Sequence, residues 1–153
     1  MKDIFYRCEV CGNVVALIKS GGGPLACCGQ DMTQLVANTV DASKEKHVPD
    51  VKVAGNKIMV QIGSVEHPMV PEHYIEWIAL VAGDKLEIKY LQPGMKPVAE
   101  FMYDFDQEKV LFTDEYNEVP NCEGQPCNFE YSERTNVSIY EYCNLHGLWK
   151  AEV

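Results

Sequence analysis

Four cysteines crowd the first 28 residues of this 153-residue chain, as Cys8-Glu9-Val10-Cys11-Gly12 and, after fifteen intervening residues, Cys27-Cys28. The surrounding segment, residues 1–36, has little apolar content, and units below ~40 residues rarely hold together by burial alone. A metal, disulfides or oligomerisation must supply what the core cannot. Disulfides fit poorly, because the total of seven cysteines is odd and two of them are adjacent. A Cys-x-x-Cys pair can place two thiolates on one ion while the following glycine frees backbone amides to donate to sulfur. Cys27 and Cys28 then close a tetrahedral four-sulfur shell, which suits zinc or a single iron. Adjacent ligands strain a tetrahedron that zinc has no reason to distort, whereas strain can tune a redox ion, so iron is the preferred reading. A Cys8–Cys11 disulfide and buried free thiols are the weaker alternatives.

Gly21-Gly22-Gly23-Pro24 lacks the Lys-Ser/Thr and the helix that a phosphate loop needs, and reads as a turn. Small polar residues at 37–44 form a linker. From residue 45 to 153 the chain shows short strands between Gly, Pro, Asn and Asp breaks. Ile58, Val60 and Ile62 alternate with polar residues, Tyr74–Ala82 is an apolar-rich run, and Leu86, Ile88 and Tyr90 alternate again after Gly83-Asp84. Glu100–Phe105, Lys109–Phe112, Val137–Tyr142 and Leu148–Val153 supply further strands. No helical periodicity interrupts them, so the class is all-β, an antiparallel sandwich or barrel. The acidic, irregular stretch at about 104–136 reads as an insertion.

Charge and hydropathy exclude several partners. Thirteen Lys and Arg against 23 Asp and Glu give a net charge of −10. Such a surface repels phosphate backbones and anionic lipid, so neither nucleic acid nor membrane is an expected partner. The longest apolar run, Trp77 to Ala82, is far shorter than the ~20 residues that cross a bilayer. MKDIFYRCEVC at the start carries no apolar signal core. With clustered free thiols needing a reducing compartment, the expected location is the cytoplasm.

All four histidines lie beyond the cysteine-rich segment: Glu45-Lys46-His47-Val48-Pro49, Glu66-His67-Pro68-Met69, Glu72-His73-Tyr74 and Cys143-Asn144-Leu145-His146-Gly147. Each sits in a loop-like context at a strand end, where a rigid scaffold presents functional groups. Cys143 and His146 are close enough to share an ion. Four imidazoles and one thiolate exceed a structural zinc site; they suit iron held in a plane of nitrogens, with an axial sulfur and one open position.

In combination these motifs resemble desulfoferrodoxin, the two-iron superoxide reductase family. The matching pattern is C-x-x-C, C-C, E-K-H-V-P, H-P-M with a histidine six positions on, and C-N-L-H-G-x-W-K; it spans most of residues 1–103 and 137–153. The resemblance implies a desulforedoxin-like unit at 1–36 and an immunoglobulin-like sandwich at 45–153. It implies two irons per chain, one on Cys8, Cys11, Cys27 and Cys28. The other has His47, His67, His73 and His146 as equatorial ligands and Cys143 as the axial one. It also implies one-electron reduction of superoxide to hydrogen peroxide, a rubredoxin as electron donor, and a homodimer. Lys46 then supplies the local positive charge that an acidic protein needs to receive an anion. Glu45 would be a resting-state ligand to the oxidised iron. The insertion departs from the pattern, and its Cys122 and Cys127 have no counterpart among the ligands. A rubredoxin-like electron carrier with a second, structural metal site is the alternative; a zinc-ribbon interaction module fits less well.

Overall fold

Strands of alternating residues need something to cover each apolar face, and the chain answers with two sheets and a small cap. The structure, a computed structural model, describes residues 3–105 and 136–153. The cysteine-rich segment forms β1 (Phe5–Arg7), β2 (Val14–Ala16), β3 (Ala26–Cys27), β4 (Gln30–Asp31) and β5 (Thr33–Gln34). β1 lies between β2 and β5 in a three-stranded antiparallel sheet, and β3 pairs with β4 as a separate hairpin. One helical turn, α1 (Lys44–His47), then leads into β6 (Pro49–Ala54) and β7 (Lys57–Ile62). β8 (Ile75–Ala82), β9 (Lys85–Tyr90), β10 (Val98–Met102), β11 (Val137–Cys143) and β12 (Gly147–Glu152) complete the chain. The sheet β10-β7-β6 packs against the sheet β12-β11-β8-β9, all pairs antiparallel, as an immunoglobulin-like sandwich.

The core between the sheets comes from period-two alternation. Ile58, Val60 and Ile62 of β7 meet Ile78, Leu80 and Ala82 of β8, with Phe101 of β10 and Val137 and Ile139 of β11. β8 and β11 are buried along almost their whole length, which one packed face cannot explain. Their second face carries Trp77, Ala79, Val81, Tyr140 and Tyr142, and the cysteine-rich unit covers it through Phe5, with Ala37 beside it. Phe5 sets its ring 4.9 Å from Trp77 and edge-on to Tyr140 at 5.3 Å. Asp3 fastens the same joint. Its carboxylate accepts from the Ala37 amide at 2.8 Å and the Tyr140 hydroxyl at 2.9 Å, and pairs with Lys150 at 3.2 Å. The four-stranded sheet is therefore the middle layer of three.

The structure adds elements that the sequence pattern does not announce. β6 is half-exposed and starts at a proline, so it lacks an apolar signature. His47 ends a helical turn rather than a loop, while His67, His73 and His146 lie outside strand interiors as expected. Cys122, Cys127 and the expected strand at Lys109–Phe112 lie outside the described residues.

Candidate metal centres

The knuckle around Cys8 forms because the Gly12 amide donates to the Cys8 carbonyl at 2.9 Å and Gly12 takes a φ of +79°, closing a tight turn. The β3–β4 hairpin reverses at Cys28, itself left-handed at φ +52°, and Gly29. The two turns face each other. Cys11 Sγ lies 3.6 Å from Cys27 Sγ, Cys27 Sγ lies 3.9 Å from Cys28 Sγ, and one sulfur from each of Cys8, Cys11, Cys27 and Cys28 falls within 4.8 Å of the others. Metal–sulfur bonds of ~2.3 Å at tetrahedral angles put sulfurs ~3.8 Å apart, so the cage fits one ion. Electrostatics agree. Amide donors from Cys11 hold the Cys8 thiol at about 7 despite burial, while neighbouring Cys11 and Cys27 push Cys28 up to about 12. To ionise all four at this spacing would take a cation between them.

The second cluster gathers ligands from three distant segments. His47 arrives on α1, His67 and His73 on the loop from β7 to β8, and Cys143 and His146 on the turn from β11 to β12. A bulge aims the turn. The β8–β11 register slips so that Tyr142 faces Trp77 but Cys143 faces Ile75, and Cys143 then points into the mouth of the sandwich core. Asn144 ties this turn to the His73 segment: its Oδ1 accepts from the Tyr74 amide at 3.0 Å and its Nδ2 donates to the Glu72 carbonyl at 3.2 Å.

Hydrogen bonds assign the ring nitrogens. His47 Nδ1 donates to the Ser43 carbonyl at 2.7 Å and His67 Nδ1 to the Pro68 carbonyl at 2.6 Å, leaving Nε2 of each toward the cluster centre. His73 Nε2 is buried without a hydrogen-bond partner among the described residues. His146 presents Nδ1, 3.0 Å from His47 Nε2, and His67 Nε2 lies 3.2 Å from His47 Nε2. Metal–nitrogen bonds of ~2.1 Å at right angles would set adjacent nitrogens ~3.0 Å apart. Burial, with repulsion from neighbouring rings, holds His47, His67 and His73 below the usual histidine range, His67 down at about 4. Neutral nitrogens are what a metal needs. Burial raises the Cys143 thiol, while the amides of Leu145 and His146 offset part of the rise and favour the thiolate.

The cluster is open on one side. His47, His67 and Cys143 are buried, whereas His73 and His146 are part-exposed. Lys46 is exposed on α1, and its charge is felt at both His47 and His73. The Glu45 side chain is also exposed; its carbonyl accepts from the Val65 amide at 3.0 Å. Gly63 makes that approach feasible: at φ +79°, a Cβ there would clash with the carbonyl oxygen of Val65 and meet those of Lys46 and Glu45 at 2.7 and 2.8 Å. Sequence reading missed Gly63 and Asn144 as supports of the site. Asn144 lies inside the C-N-L-H-G-x-W-K motif, a usable signal; nothing marks Gly63 before the fold is known.

Comparison with known proteins agrees with this geometry. The desulfoferrodoxin family model matches residues 39–152, and the model of the desulfoferrodoxin N-terminal domain matches residues 2–35. A desulfoferrodoxin from Clostridium acetobutylicum is 42% identical over 148 residues, covering 97% of this chain and 94% of that protein. One from Desulfarculus baarsii is 41% identical over 147 residues, covering 96% and 94%. The solved superoxide reductase of Treponema pallidum superposes with a TM-score of 0.62 at 28% identity, covering 99% of this chain and 98% of that one. With both family models matched in tandem and both metal cages formed by the residues their motifs supply, the chain belongs to the desulfoferrodoxin family.

Proposed function

We propose that this chain is a superoxide reductase, converting superoxide, one electron and two protons to hydrogen peroxide at the cluster of His47, His67, His73, His146 and Cys143. The observation that carries the reading is the donor set itself: four imidazoles and one cysteine sulfur, two of the histidines part-exposed, with Lys46 exposed beside the ligand His47. Iron bound there supplies the electron and a free coordination position. The protein supplies the rest. Tethered Nδ1 groups on His47 and His67 keep two of the rings in register. Amides of Leu145 and His146 offset part of the rise that burial imposes on the Cys143 thiol. Lys46 draws in the anion against a net charge of −10, and solvent at the exposed face delivers protons. We assign Glu45, next to Lys46 on α1, as a carboxylate that would serve as a ligand to the oxidised centre at rest.

In this reading residues 1–36 hold the first iron on Cys8, Cys11, Cys27 and Cys28 as an electron store, 37–44 link it, and 45–153 carry catalysis. A rubredoxin fits as donor. A homodimer formed through the cysteine-rich unit would cover its exposed Val10 and Ile18. Free thiols in both cages are consistent with a reducing cytoplasm and a role in removing superoxide there. The test is to load the chain with iron, reduce it, and follow superoxide by pulse radiolysis. Hydrogen peroxide should form without dioxygen, one per electron held by the second site. Dioxygen released alongside peroxide, or no reaction, would overturn the reading.

A further inference from the structure

One aromatic side chain touches ligands that the sequence separates by about a hundred residues. Trp149 on β12 is fully buried, and its indole stacks on the His47 ring at 5.0 Å and 23°. Its Nε1 donates to the His146 carbonyl at 3.1 Å. The β11–β12 register explains how one residue does both. Trp149 faces Glu141, two residues on from Gly147, which faces Cys143, so the indole lies on the inward face beside the ligand turn. His47 Nδ1 is tied to the Ser43 carbonyl, and its Nε2 lies 3.0 Å from His146 Nδ1 and 3.2 Å from His67 Nε2. Those contacts hold the ring by its nitrogens, and the indole covers its face.

We infer that Trp149 is a positioning residue of the histidine–cysteine centre, orienting the His47 ring by stacking and holding the His146 turn by its N–H. The inference rests on the reading of that cluster as an iron centre. Supports around metal ligands commonly change metal affinity or activity by 10–100-fold when removed. Trp149 supports two ligands from opposite ends of the catalytic unit, so its loss should fall within that range.

The test uses the whole chain with both sites loaded by ferrous iron, and chelator competition read separately at each site. Trp149→Leu, which loses stack and N–H, should release metal from the histidine–cysteine site about 10–100-fold more readily and shift the thiolate-to-ferric band of the oxidised form. The four-cysteine site should keep its affinity. Trp149→Phe retains an aromatic face without the donor, and should recover most of the band position and part of the affinity. In the zinc-loaded protein, the ring-current shift of the His47 protons should vanish with Leu and persist with Phe. Phe101→Leu, a core substitution away from the ligands, controls for general destabilisation and should change neither spectrum nor metal retention. If Trp149→Leu matches wild type, or loses metal equally from both sites, the inference is wrong. Should the leucine variant not fold, Trp149→Phe decides: retention identical to wild type at the second site would overturn it. None of these readouts involves superoxide. A wild-type protein that fails to reduce superoxide would therefore sink the proposed function and leave this inference standing.

Discussion

Replacing Gly63 by alanine tests how the Glu45–Lys46 turn is held over the metal cluster. The new Cβ would clash with the Val65 carbonyl oxygen and stand 2.7 Å from that of Lys46 and 2.8 Å from that of Glu45. All three are backbone atoms, and the nearest must retreat by about 1 Å to regain ordinary contact. Left-handed φ adds a further penalty for a residue with a Cβ. Together, about 1–2 kcal/mol for the conformation and about 1–3 kcal/mol for overpacking give a loss of about 2–5 kcal/mol. The retreat also strains the Val65 amide and Ser64 hydroxyl bonds to the Glu45 carbonyl. Gly55 is the control. It has φ +60° in the β6–β7 turn with nothing within 4 Å of its Cβ position, so Gly55→Ala should cost only the conformational ~1–2 kcal/mol. Urea unfolding of the iron-loaded proteins gives both losses. Displacement of Lys46 should also slow superoxide association in the Gly63 variant and leave it unchanged in the Gly55 variant. A Gly63→Ala protein no less stable than Gly55→Ala, with an unchanged association rate, would refute the claim that close backbone packing positions the turn.

Other perturbations probe the remaining joints. Asp3→Asn should loosen the cysteine-rich unit from the middle sheet by about 1–3 kcal/mol, the scale of hydrogen bonds to a charged group. Burial alone would raise the Asp3 carboxyl, but donors from Ala37, Tyr140 and Lys150 hold it below its usual 3.8. A depressed carboxylate contributes above its unfolded value and is lost as pH falls through the folded one, so the gap between wild type and variant should be constant down to about pH 5 and close below about pH 4. Urea midpoints across pH check this; a gap already closing near pH 6 would implicate another group. Lys46→Ala should slow superoxide association about tenfold and flatten or reverse its salt dependence, with metal content unchanged, because an exposed charge acts through a screened field. Stopped-flow rates in a salt series decide it. Cys28→Ser should empty the first site and loosen residues 1–36, since metal binding there is folding energy, while the second site keeps its iron and its reactivity toward superoxide; metal analysis with both iron spectra would show it.

Much of this protein could be read from the order of its residues, because its chemistry is written in short-range pairs. Cys8 and Cys11, Cys27 and Cys28, and Cys143 and His146 are each within one chelate's reach along the chain, so their grouping needs no fold. Period-two alternation likewise marked β7, whose one face meets the core while the other does not; it also marked β9, although there only Ile88 packs against the core and Leu86 and Tyr90 stay exposed. Tertiary structure decided everything that depends on a second partner. The apolar run Trp77–Ala82 of β8 signals burial on both faces, yet only the docking of Phe5 and Asp3 shows what covers the outer one. Alternation alone puts Glu141 on the inward face of β11, where it lies buried with its carboxylate oxygens unpartnered among the described residues, an arrangement no pattern of residue types predicts. Which nitrogen each histidine offers depends on carbonyls at Ser43 and Pro68 and on a bulge beside Cys143. The roles of Gly63 and Trp149 emerge only when segments some 20 and 100 residues apart close on α1, because close packing is a relation between surfaces that exist only after the chain has folded.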